Sequence, residues 1–518
     1  MLEWQSECLD LWANNGYRGI VNAVTGSGKT VLALAAAGRL EAVLALATAG
    51  RPEESTGNLQ IKIIVPQSFL AYQWKEEIKR QLGATSAEIG LYYGKRKDTG
   101  RKYMIYVVNS ARYVLARHIL TDLDAGCAVF LIADECHHYC SSENSRIFDF
   151  YEHIDEDAQY FAMGLSATPE TANYNAISVP LGPEIYYYSL DKALKDQIIS
   201  RFILYSVRLE FSSGEREDYT DLSEKLSVCL AALMKKRPEL RGLPSGRFFA
   251  QLHKIANQDS ETASIAQTAL MLMYRRKTLC HMAHSRPLCA LDIVNSLPAQ
   301  SRIILFCERI SSAESLFREL SEQYPRQAGL YHSRLPDTTR QDVLSRYAHG
   351  SIRLLICCRA LDEGLNIPST DAGIIVSCSM SSRQRVQRLG RMLRRSQKIK
   401  QVYYLYIGES SEDKELAFGL NATGASVPLI TLRYMNGAFM HTGYERLREA
   451  VLEYVLHRKS DSGLSRAISQ NLDRALMRGD FLLSESICRE NLSAARSVAE
   501  RNYWASVLYI ILARLGKL

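Results

Sequence analysis

The chain has 518 residues, of which 47% are apolar and 23% are charged, and its formal net charge is +7 at pH 7. This length exceeds what one hydrophobic core holds, so we expect three or four domains, and the composition is that of a folded globular protein. The most apolar segment, residues 31–48, contains Arg39 and Glu41, and the twelve cysteines are scattered. We therefore expect no membrane span and a reducing, cytoplasmic location.

Apolar segments of strand length alternate with helical patterns in two parts of the chain. They lie at residues 61–65, 103–108, 129–133 and 160–165, and again at 303–306, 353–357, 373–376 and 402–407. These segments are apolar throughout rather than alternating, as in parallel strands that helices cover on both faces. The sequence therefore predicts an α/β protein with two doubly wound parallel-sheet domains in tandem.

Helical patterns dominate the rest of the chain. Apolar residues recur at helical spacing over residues 219–236 and 260–282, and later over 444–457, 463–477 and 489–515. We therefore predict a helical insert and a helical C-terminal region. The predicted boundaries are 1–205 for the first α/β domain, 206–290 for the insert, 291–410 for the second α/β domain and 411–518 for the C-terminal region.

The segment AVTGSGKT, residues 23–30, lies between an apolar strand and a helix rich in alanine and leucine. Backbone N–H groups and a helix N-terminus converge at such a junction and bind phosphate, and Gly26 and Gly28 let phosphates approach the backbone. Lys29 reaches the β- and γ-phosphates, and the Thr30 hydroxyl binds Mg²⁺. Alanine occupies the first position, where the pattern usually has glycine, and a glycine-rich turn without a ligand is the less favoured interpretation. We predict a site for ATP and Mg²⁺ formed by Thr25, Gly26, Ser27, Gly28, Lys29 and Thr30.

Two polar segments directly follow predicted strands. Asp134 and Glu135 begin the segment DECH after the strand at 129–133, where carboxylates face the ligand crevice of a doubly wound sheet. Asp134 can hold Mg²⁺ through water, and Glu135 can orient or deprotonate the attacking water. Ser166 and Thr168 follow the next strand, and their hydroxyls are placed to couple the carboxylates to movement.

A strongly basic segment, residues 383–400, contains no acidic residue. On a helix, Gln387, Arg391 and Arg394 are spaced i, i+4 and i+7 and share one face. Three donors without a carboxylate among them suit a polyphosphate. The alternative is a solvated basic surface or a stripe that contacts nucleic acid.

These motifs, in this order, resemble those of the superfamily 2 helicases and translocases, in particular the bacterial and archaeal proteins grouped with the XPB-type and RadD-type enzymes. Two departures are Glu170-Thr171-Ala172 in place of Arg-Glu-Asp, and Asn366 in place of the usual aspartate. The segments that carry the resemblance are AVTGSGKT, DECH, SAT, QRLGRMLR, Trp4-Gln5, Val65-Pro66-Gln67 with Gln73-Trp74, and LDEGLNIP at 361–368.

The resemblance implies two RecA-like domains with ATP between them, and hydrolysis coupled to movement along a nucleic acid, for which we expect DNA rather than RNA. One domain would supply Lys29, Thr30, Asp134 and Glu135, and the other Gly364, Gln387, Arg391 and Arg394. The resemblance also implies that Gln5 reads adenine. The implied strand contacts are Pro66, Gln67, Asn109, Ser110 and His332.

Three functions remain open at this point. The first is an ATP-dependent helicase, and the second is a duplex translocase that remodels bound protein without separating strands. The third is an ATP-gated subunit of a defence or restriction complex. Because the sequence contains no nuclease, methyltransferase or sequence-reading motif, a protein partner docked on the C-terminal helices would supply the targeting.

Overall fold

The computed structural model describes residues 1–48, 58–167, 174–258, 260–358, 370–377, 399–412, 429–441, 445–457, 462–478, 480–514 and 517. These residues form two compact units, and the boundary between them falls between Arg201 and Phe202. Each unit is built on an eight-stranded sheet. Within the described ranges, no helix is both long enough and apolar enough to cross a membrane.

The sheet of the first unit has the strand order β4-β3-β5-β2-β6-β7-β1-β8, and every neighbouring pair is parallel except β3 and β4. Its strands are β1 (Arg18–Ala23), β2 (Gln60–Val65), β3 (Ile89–Tyr93), β4 (Arg96–Lys97), β5 (Tyr103–Val107), β6 (Val129–Ala133), β7 (Tyr160–Ser166) and β8 (Glu184–Tyr188). Its helices are α1 (Glu3–Asn14), α2 (Lys29–Thr48), α3 (Ser68–Leu82), α4 (Val108–Ala111), α5 (Leu115–Asp124), α6 (Asn175–Leu181) and α7 (Leu190–Lys195), with 3₁₀ helices at Cys136–Tyr139 and Ser145–His153.

The apolar strands of the first unit are central and covered. All five residues of β6 are buried, and the strand lies between β2 and β7. Helices cover both faces of such a strand, so neither face meets water. The strand sequence is therefore apolar throughout and does not alternate between apolar and polar residues. The helix α2 is rich in alanine and leucine, which are strong helix formers, and it buries Leu32, Leu34 and Leu40. This packing fixes the phosphate loop between β1 and α2.

The second sheet has the order β11-β12-β10-β13-β14-β9-β15-β16, with β15 and β16 antiparallel and the other pairs parallel. Its strands are β9 (Phe202–Leu209), β10 (Ile303–Cys307), β11 (Ala328–Tyr331), β12 (Leu354–Cys358), β13 (Ala372–Ile375), β14 (Lys400–Ile407), β15 (Leu429–Met435) and β16 (Ala438–His441). The helices are α8 (Ser213–Lys236), α9 (Ser245–Ala256), α10 (Ala263–Met282), α11 (Ser285–Ser296), α12 (Ile310–Gln323), α13 (Asp337–Ala348), α14 (Glu445–His457), α15 (Ser462–Arg478), α16 (Glu485–Ala494) and α17 (Val498–Arg514), with 3₁₀ helices at Pro238–Leu240 and Asp480–Leu482.

Three strands of the second sheet lie outside the predicted α/β segments. The chain enters this sheet with β9, which pairs with both β14 and β15, before it leaves to form the helical insert. The C-terminal region is mostly helical, as predicted, but it begins with the β15–β16 hairpin. Asn436 and Gly437 form its turn with φ of +51° and +77°, and Asn-Gly is the usual sequence of such a two-residue turn.

The insert has a small hydrophobic core of its own, made by α8, α9 and α10 around Leu226, Leu233, Leu252 and Leu272. The main core of the second unit instead joins the sheet to α11, α12 and the C-terminal helices. The predicted helical segment 489–515 is two helices, α16 and α17, which pack against each other.

Candidate active site

The phosphate loop has the backbone that its glycines predict. The loop starts where β1 ends, and α2 begins at Lys29. Gly26 and Gly28 have φ of +87° and +97°, a region that residues with a Cβ rarely adopt. A Cβ on Gly28 would lie 2.9 Å from Gln5 Nε2. Both glycines are therefore needed for the loop to take this shape.

Three polar atoms of the loop are buried without a hydrogen-bond partner. Among the residues that the structure describes, Lys29 Nζ, Thr25 Oγ1 and Ser27 Oγ make no hydrogen bond. Buried polar groups are normally paired, so a cluster of unpaired ones indicates a surface that receives a ligand. All three groups can donate, and phosphate oxygens are acceptors. The loop therefore fits the phosphates of ATP.

Asp134 and Glu135 lie beside this loop. Glu135 Oε1 is 4.0 Å from Lys29 Nζ. The Asp134 carboxylate is held by two donors, since Trp74 Nε1 donates to Oδ2 at 2.8 Å and the backbone N–H of Glu135 donates to Oδ1 at 3.0 Å. Burial and the neighbouring Glu135 carboxylate raise the pKa of Asp134 to about 6. A nearby cation stabilises the charged form of such a carboxyl group.

The end of β7 joins the same cluster through a histidine. His137 Nδ1 lies 3.1 Å from Ser166 Oγ and 3.5 Å from Glu135 Oε2. One imidazole nitrogen thus lies near both Ser166 and Glu135, and the coupling of these groups to movement stays a prediction. Thr168, the other hydroxyl of that prediction, lies outside the described residues.

Magnesium would be held here together with the nucleotide. Over the described part of the chain, no group of three or more His, Cys, Asp or Glu side chains is arranged to bind a metal ion by itself. Mg²⁺ is usually bound by one or two protein oxygens together with phosphates and water. Thr30 at the start of α2 and Asp134 offer oxygens of this kind, so the residues fit a metal that arrives with ATP.

Gln5 makes a contact that the sequence analysis did not anticipate. Its Nε2 donates to the carbonyl of Gly28 at 3.1 Å, and its Oε1 accepts from the backbone N–H of Leu2 at 2.8 Å. The neighbouring Trp4 stacks on Tyr188 of β8, with ring centroids 4.6 Å apart. Gln5 thus braces the phosphate loop from α1, whatever its relation to adenine.

The candidate strand contacts of the first unit lie at the same edge of the sheet. Pro66 and Gln67 follow β2, and Asn109 and Ser110 follow β5, the strand beside it. Asn109 is exposed, and its Oδ1 accepts from Arg112 Nη2 at 2.5 Å. The carboxyl ends of parallel strands form the ligand side of a doubly wound sheet, so this position suits the predicted contact.

His332 does not share that exposure. It follows β11, it is only 3% exposed, and its Nε2 lies 3.5 Å from Glu314 Oε1. Burial lowers the pKa of its ring. In this conformation a strand would not reach the imidazole, which makes His332 a poorer contact than Asn109. Four further predicted site residues lie outside the described residues, namely Gly364, Gln387, Arg391 and Arg394.

Two family models match the chain, in the order in which the two units occur. The model described as "Type III restriction enzyme, res subunit" matches residues 1–171. The model described as "Helicase conserved C-terminal domain" matches residues 286–396. The first match contains the phosphate loop and DECH, and the second contains the predicted arginine motif.

Curated relatives and solved structures agree with these matches. The "DNA 3'-5' translocase XPB2" of Sulfurisphaera tokodaii is 24% identical over 398 residues, which are 76% of this chain and 79% of that protein. The "Putative DNA 3'-5' helicase Rad25" of Halobacterium salinarum is 21% identical over 384 residues, 73% of this chain but only 49% of that protein. The structure of S. cerevisiae Dbp5 bound to RNA and ADP BeF3 is similar with a TM-score of 0.51 at 14% identity, over 83% of this chain and 89% of that chain, a likeness that bears on the fold alone.

Two parallel-sheet units, a phosphate loop with unpaired donors and two helicase family matches thus occur in one chain. The tandem RecA-like fold predicted from the sequence is confirmed, and so is the resemblance from which it was drawn. The two domain matches and the curated relatives together support an ATP-hydrolysing superfamily 2 helicase or translocase that is similar to the XPB-type proteins.

Proposed function

We propose that this protein uses Lys29, Asp134 and Glu135 to hydrolyse ATP with Mg²⁺, and that the hydrolysis drives movement along DNA. The observation that carries the proposal is the cluster of buried donors in the phosphate loop, of which Lys29 Nζ lies 4.0 Å from the Glu135 carboxylate. Donors and a carboxylate at this spacing can bind a phosphate and activate water beside it. A purely structural role would leave such groups paired with one another.

Each residue has a distinct task in this proposal. The loop N–H groups and Lys29 would bind the β- and γ-phosphates, and Thr30 and Asp134 would hold the metal, which would supply positive charge next to the phosphates. Glu135 accepts a proton from the attacking water as the oxygen–phosphorus bond forms. The bond from the γ-phosphorus to the bridging oxygen breaks, and ADP leaves. The two donors on Asp134 hold its carboxylate in one orientation throughout.

Arg391 and Arg394 complete the proposed chemistry from the second helicase match. The transferred phosphoryl group carries its charge on three oxygens in the transition state, and arginines on that charge raise the rate by roughly 10³–10⁵. The proposal takes these residues from the resemblance. Because the arginines and the phosphate loop belong to different parts of the sequence, turnover would depend on how the chain brings them together, and that dependence would link hydrolysis to motion.

The choice of DNA rests on the relatives. XPB2 and Rad25 are both named as acting on DNA, and the net charge of +7 suits a polyanion. The exposed Asn109 and the Pro66–Ser68 turn would contact phosphate and sugar, which gives binding with little base specificity. We propose DNA as the substrate and these turns as its contacts in the first unit.

One experiment separates the three candidate functions. The ATPase rate of the full chain is measured with single-stranded, duplex and forked DNA and with RNA, and an unwinding assay is run in parallel. Stimulation together with unwinding supports a helicase, whereas stimulation by duplex without unwinding supports a remodelling translocase. No stimulation by any nucleic acid would leave the ATP-gated subunit, and stimulation by RNA alone would overturn DNA as the substrate. The Glu135→Gln variant is the control, since it should bind ATP without turnover.

A further inference from the structure

A buried tryptophan connects the candidate strand-binding turn to the hydrolytic site. Trp74 lies on α3, the helix that begins at Ser68 in the Pro66–Ser68 turn. Its indole is 2% exposed, and Nε1 donates to Oδ2 of Asp134 at 2.8 Å. Hydrogen bonds to a charged acceptor are stronger and more directional than those between neutral groups, and exclusion of water strengthens them further.

The other hydrogen bonds of Asp134 come from its own strand end and its immediate surroundings. Oδ1 accepts from the Glu135 backbone, the Asp134 N–H donates to the Ile64 carbonyl at 3.0 Å, and the Asp134 carbonyl accepts from Tyr139 at 2.7 Å. These three bonds connect Asp134 to the sheet and to the turn that follows β6. The bond from Trp74 differs, because it comes from an α-helix that packs on the sheet through an apolar face.

The helix α3 is short and continuous between the turn and the tryptophan. Trp74 is six positions after Ser68, which corresponds to about 9 Å along a helix axis. The buried face of α3 consists of Leu70, Ala71, Trp74 and Ile78. Side-chain packing of this kind permits small shifts of a helix against a sheet, and a shift that begins at the turn would reach the indole.

We propose that Trp74 is a positioning residue that ties the orientation of the Asp134 carboxylate to the position of α3, so that a strand bound at the Pro66–Ser68 turn changes the hydrolytic site. The inference rests on the proposed function, because it requires that a nucleic acid binds at this turn. Trp74 itself touches neither the nucleotide nor the strand. It acts through Asp134 alone.

A second tryptophan in the same unit provides a matched control. Trp12 is fully buried, and its Nε1 donates to the carbonyl of Ala162 at 2.9 Å. Its acceptor is a backbone carbonyl in β7, not a carboxylate at the site. Trp74→Phe and Trp12→Phe therefore both remove a buried indole N–H donor, but only the first removes a hydrogen bond to Asp134.

The test uses the full chain and compares both variants with the unsubstituted protein. The affinity for a single-stranded DNA oligonucleotide is measured without nucleotide and with Mg²⁺ and a non-hydrolysable ATP analogue, and kcat and KM for ATP are measured with saturating DNA. Trp74→Phe should lower kcat by about 10-fold, as the loss of a group that hydrogen-bonds a metal-binding carboxylate does. It should also bring the ratio of the two DNA affinities close to 1 while the affinity without nucleotide stays the same. By linkage, the effect of DNA on analogue affinity should disappear by the same factor.

Trp12→Phe should keep the ratio of the unsubstituted protein. The inference is overturned if Trp74→Phe keeps that ratio, or if both variants lose it equally, since an equal loss reports general loosening of the unit. If the unsubstituted protein itself shows no effect of nucleotide on DNA affinity, the proposed function fails, and this inference fails with it. Should Trp74→Phe not fold, Trp74→benzothienylalanine replaces the N–H with sulfur in a ring of the same shape, and the same outcomes apply.

Discussion

The two sheets of this protein share an architecture but differ at the carboxyl ends of their strands. In the first unit, Thr25, Ser27 and Lys29 bring buried donors to that edge without a hydrogen-bond partner among the described residues. In the second unit, Arg286 is 1% exposed and donates to three backbone carbonyls, those of Cys280 at 2.7 Å, Leu405 at 3.1 Å and Val376. It also pairs with the buried carboxylate of Glu412.

The two units therefore differ in whether the buried polar groups at their strand ends are hydrogen-bonded within the protein. A buried ion pair that is fully bonded closes a strand end and fixes the segments it joins, at a desolvation cost that its own bonds offset. Unpaired donors at the same position in the fold cost stability until a ligand binds them. The first unit thus has donors that are ready to bind a ligand. In the described part of the second unit, the Arg286–Glu412 ion pair instead links segments of the fold.

The largest effect is expected at Arg391, a residue that the structure does not describe. Arg391→Ala should lower kcat by roughly 10³–10⁵ with little change in ATP affinity, because an arginine on the transferring phosphoryl group acts in the transition state. Steady-state kinetics and equilibrium binding of ATP check this. Arg383→Ala, in the same basic segment, is the control and should keep kcat. A change below 10-fold for Arg391→Ala would contradict its proposed role in the transition state.

Removal of the Arg286–Glu412 ion pair should lower the stability of the protein rather than its ATPase rate. Arg286→Ala leaves the Glu412 carboxylate buried without its partner, and loss of one member of a buried ion pair costs about 3–5 kcal/mol. Denaturant unfolding should show this loss. Replacing both partners, as Arg286→Met with Glu412→Leu, should restore most of it. A fall in ATPase rate per folded molecule, with unchanged stability, would instead place Arg286 in the active site.

At the phosphate loop, a substitution should instead lower the ATPase rate strongly and the stability little. Lys29→Ala should lower kcat by about 10²–10³, the cost of removing one donor from a developing charge. It should lower the free energy of unfolding only slightly, because Lys29 Nζ makes no hydrogen bond in the described chain and lies 4.0 Å from the Glu135 carboxylate. ATPase rates and denaturant unfolding test the two halves. Lys62→Ala is the matched control, since Lys62 is a buried lysine of the same unit whose ion pair with Asp122 is in direct contact, and its loss should destabilise the protein more than Lys29→Ala does. Undiminished ATPase in Lys29→Ala would contradict the site.

The sequence was most informative where chemistry is local. Gly26, Gly28 and Lys29 lie within four residues, and Asp134 follows an apolar strand whose burial its own composition indicates. These features are fixed by short segments, so a motif identifies them. The helicase family, the tandem parallel-sheet fold and the use of ATP were predictable for the same reason, and the comparisons confirm them.

Contacts between distant segments were not predictable. Trp74 and Asp134 are 60 positions apart, and Arg286 bonds to groups 119 and 126 positions away. Such pairs depend on the order of strands in a sheet, which local sequence patterns do not reveal. The β15–β16 hairpin is a different case, because Asn436-Gly437 was a readable turn signal that the helical pattern around it obscured. The domain boundaries and the roles of the site residues stay predictions.

The smallest expected effect concerns the brace between α1 and the phosphate loop. Gln5→Ala removes one hydrogen bond to Gly28 and one to Leu2, each worth about 0.5–1.5 kcal/mol, so the affinity for ATP should fall about 5- to 10-fold, while kcat at saturating ATP changes little. Equilibrium binding of ATP and GTP analogues measures the effect. The choice of two nucleotides matters because Gln5 has two candidate roles.

The two roles of Gln5 predict different selectivity. A brace acts on the loop, and the loop holds phosphates that ATP and GTP share, so Gln5→Ala should weaken both nucleotides by the same factor. An adenine contact would weaken ATP alone, because guanine presents a carbonyl where adenine presents an amino group. Gln5→Glu sharpens the distinction, since its carboxylate still accepts from the Leu2 N–H but cannot donate to the Gly28 carbonyl, and it should behave like Gln5→Ala if the brace dominates. A loss confined to ATP in both variants would show that the amide leaves Gly28 when the nucleotide binds, and that the site of the first unit is completed by rearrangement rather than prepared in advance.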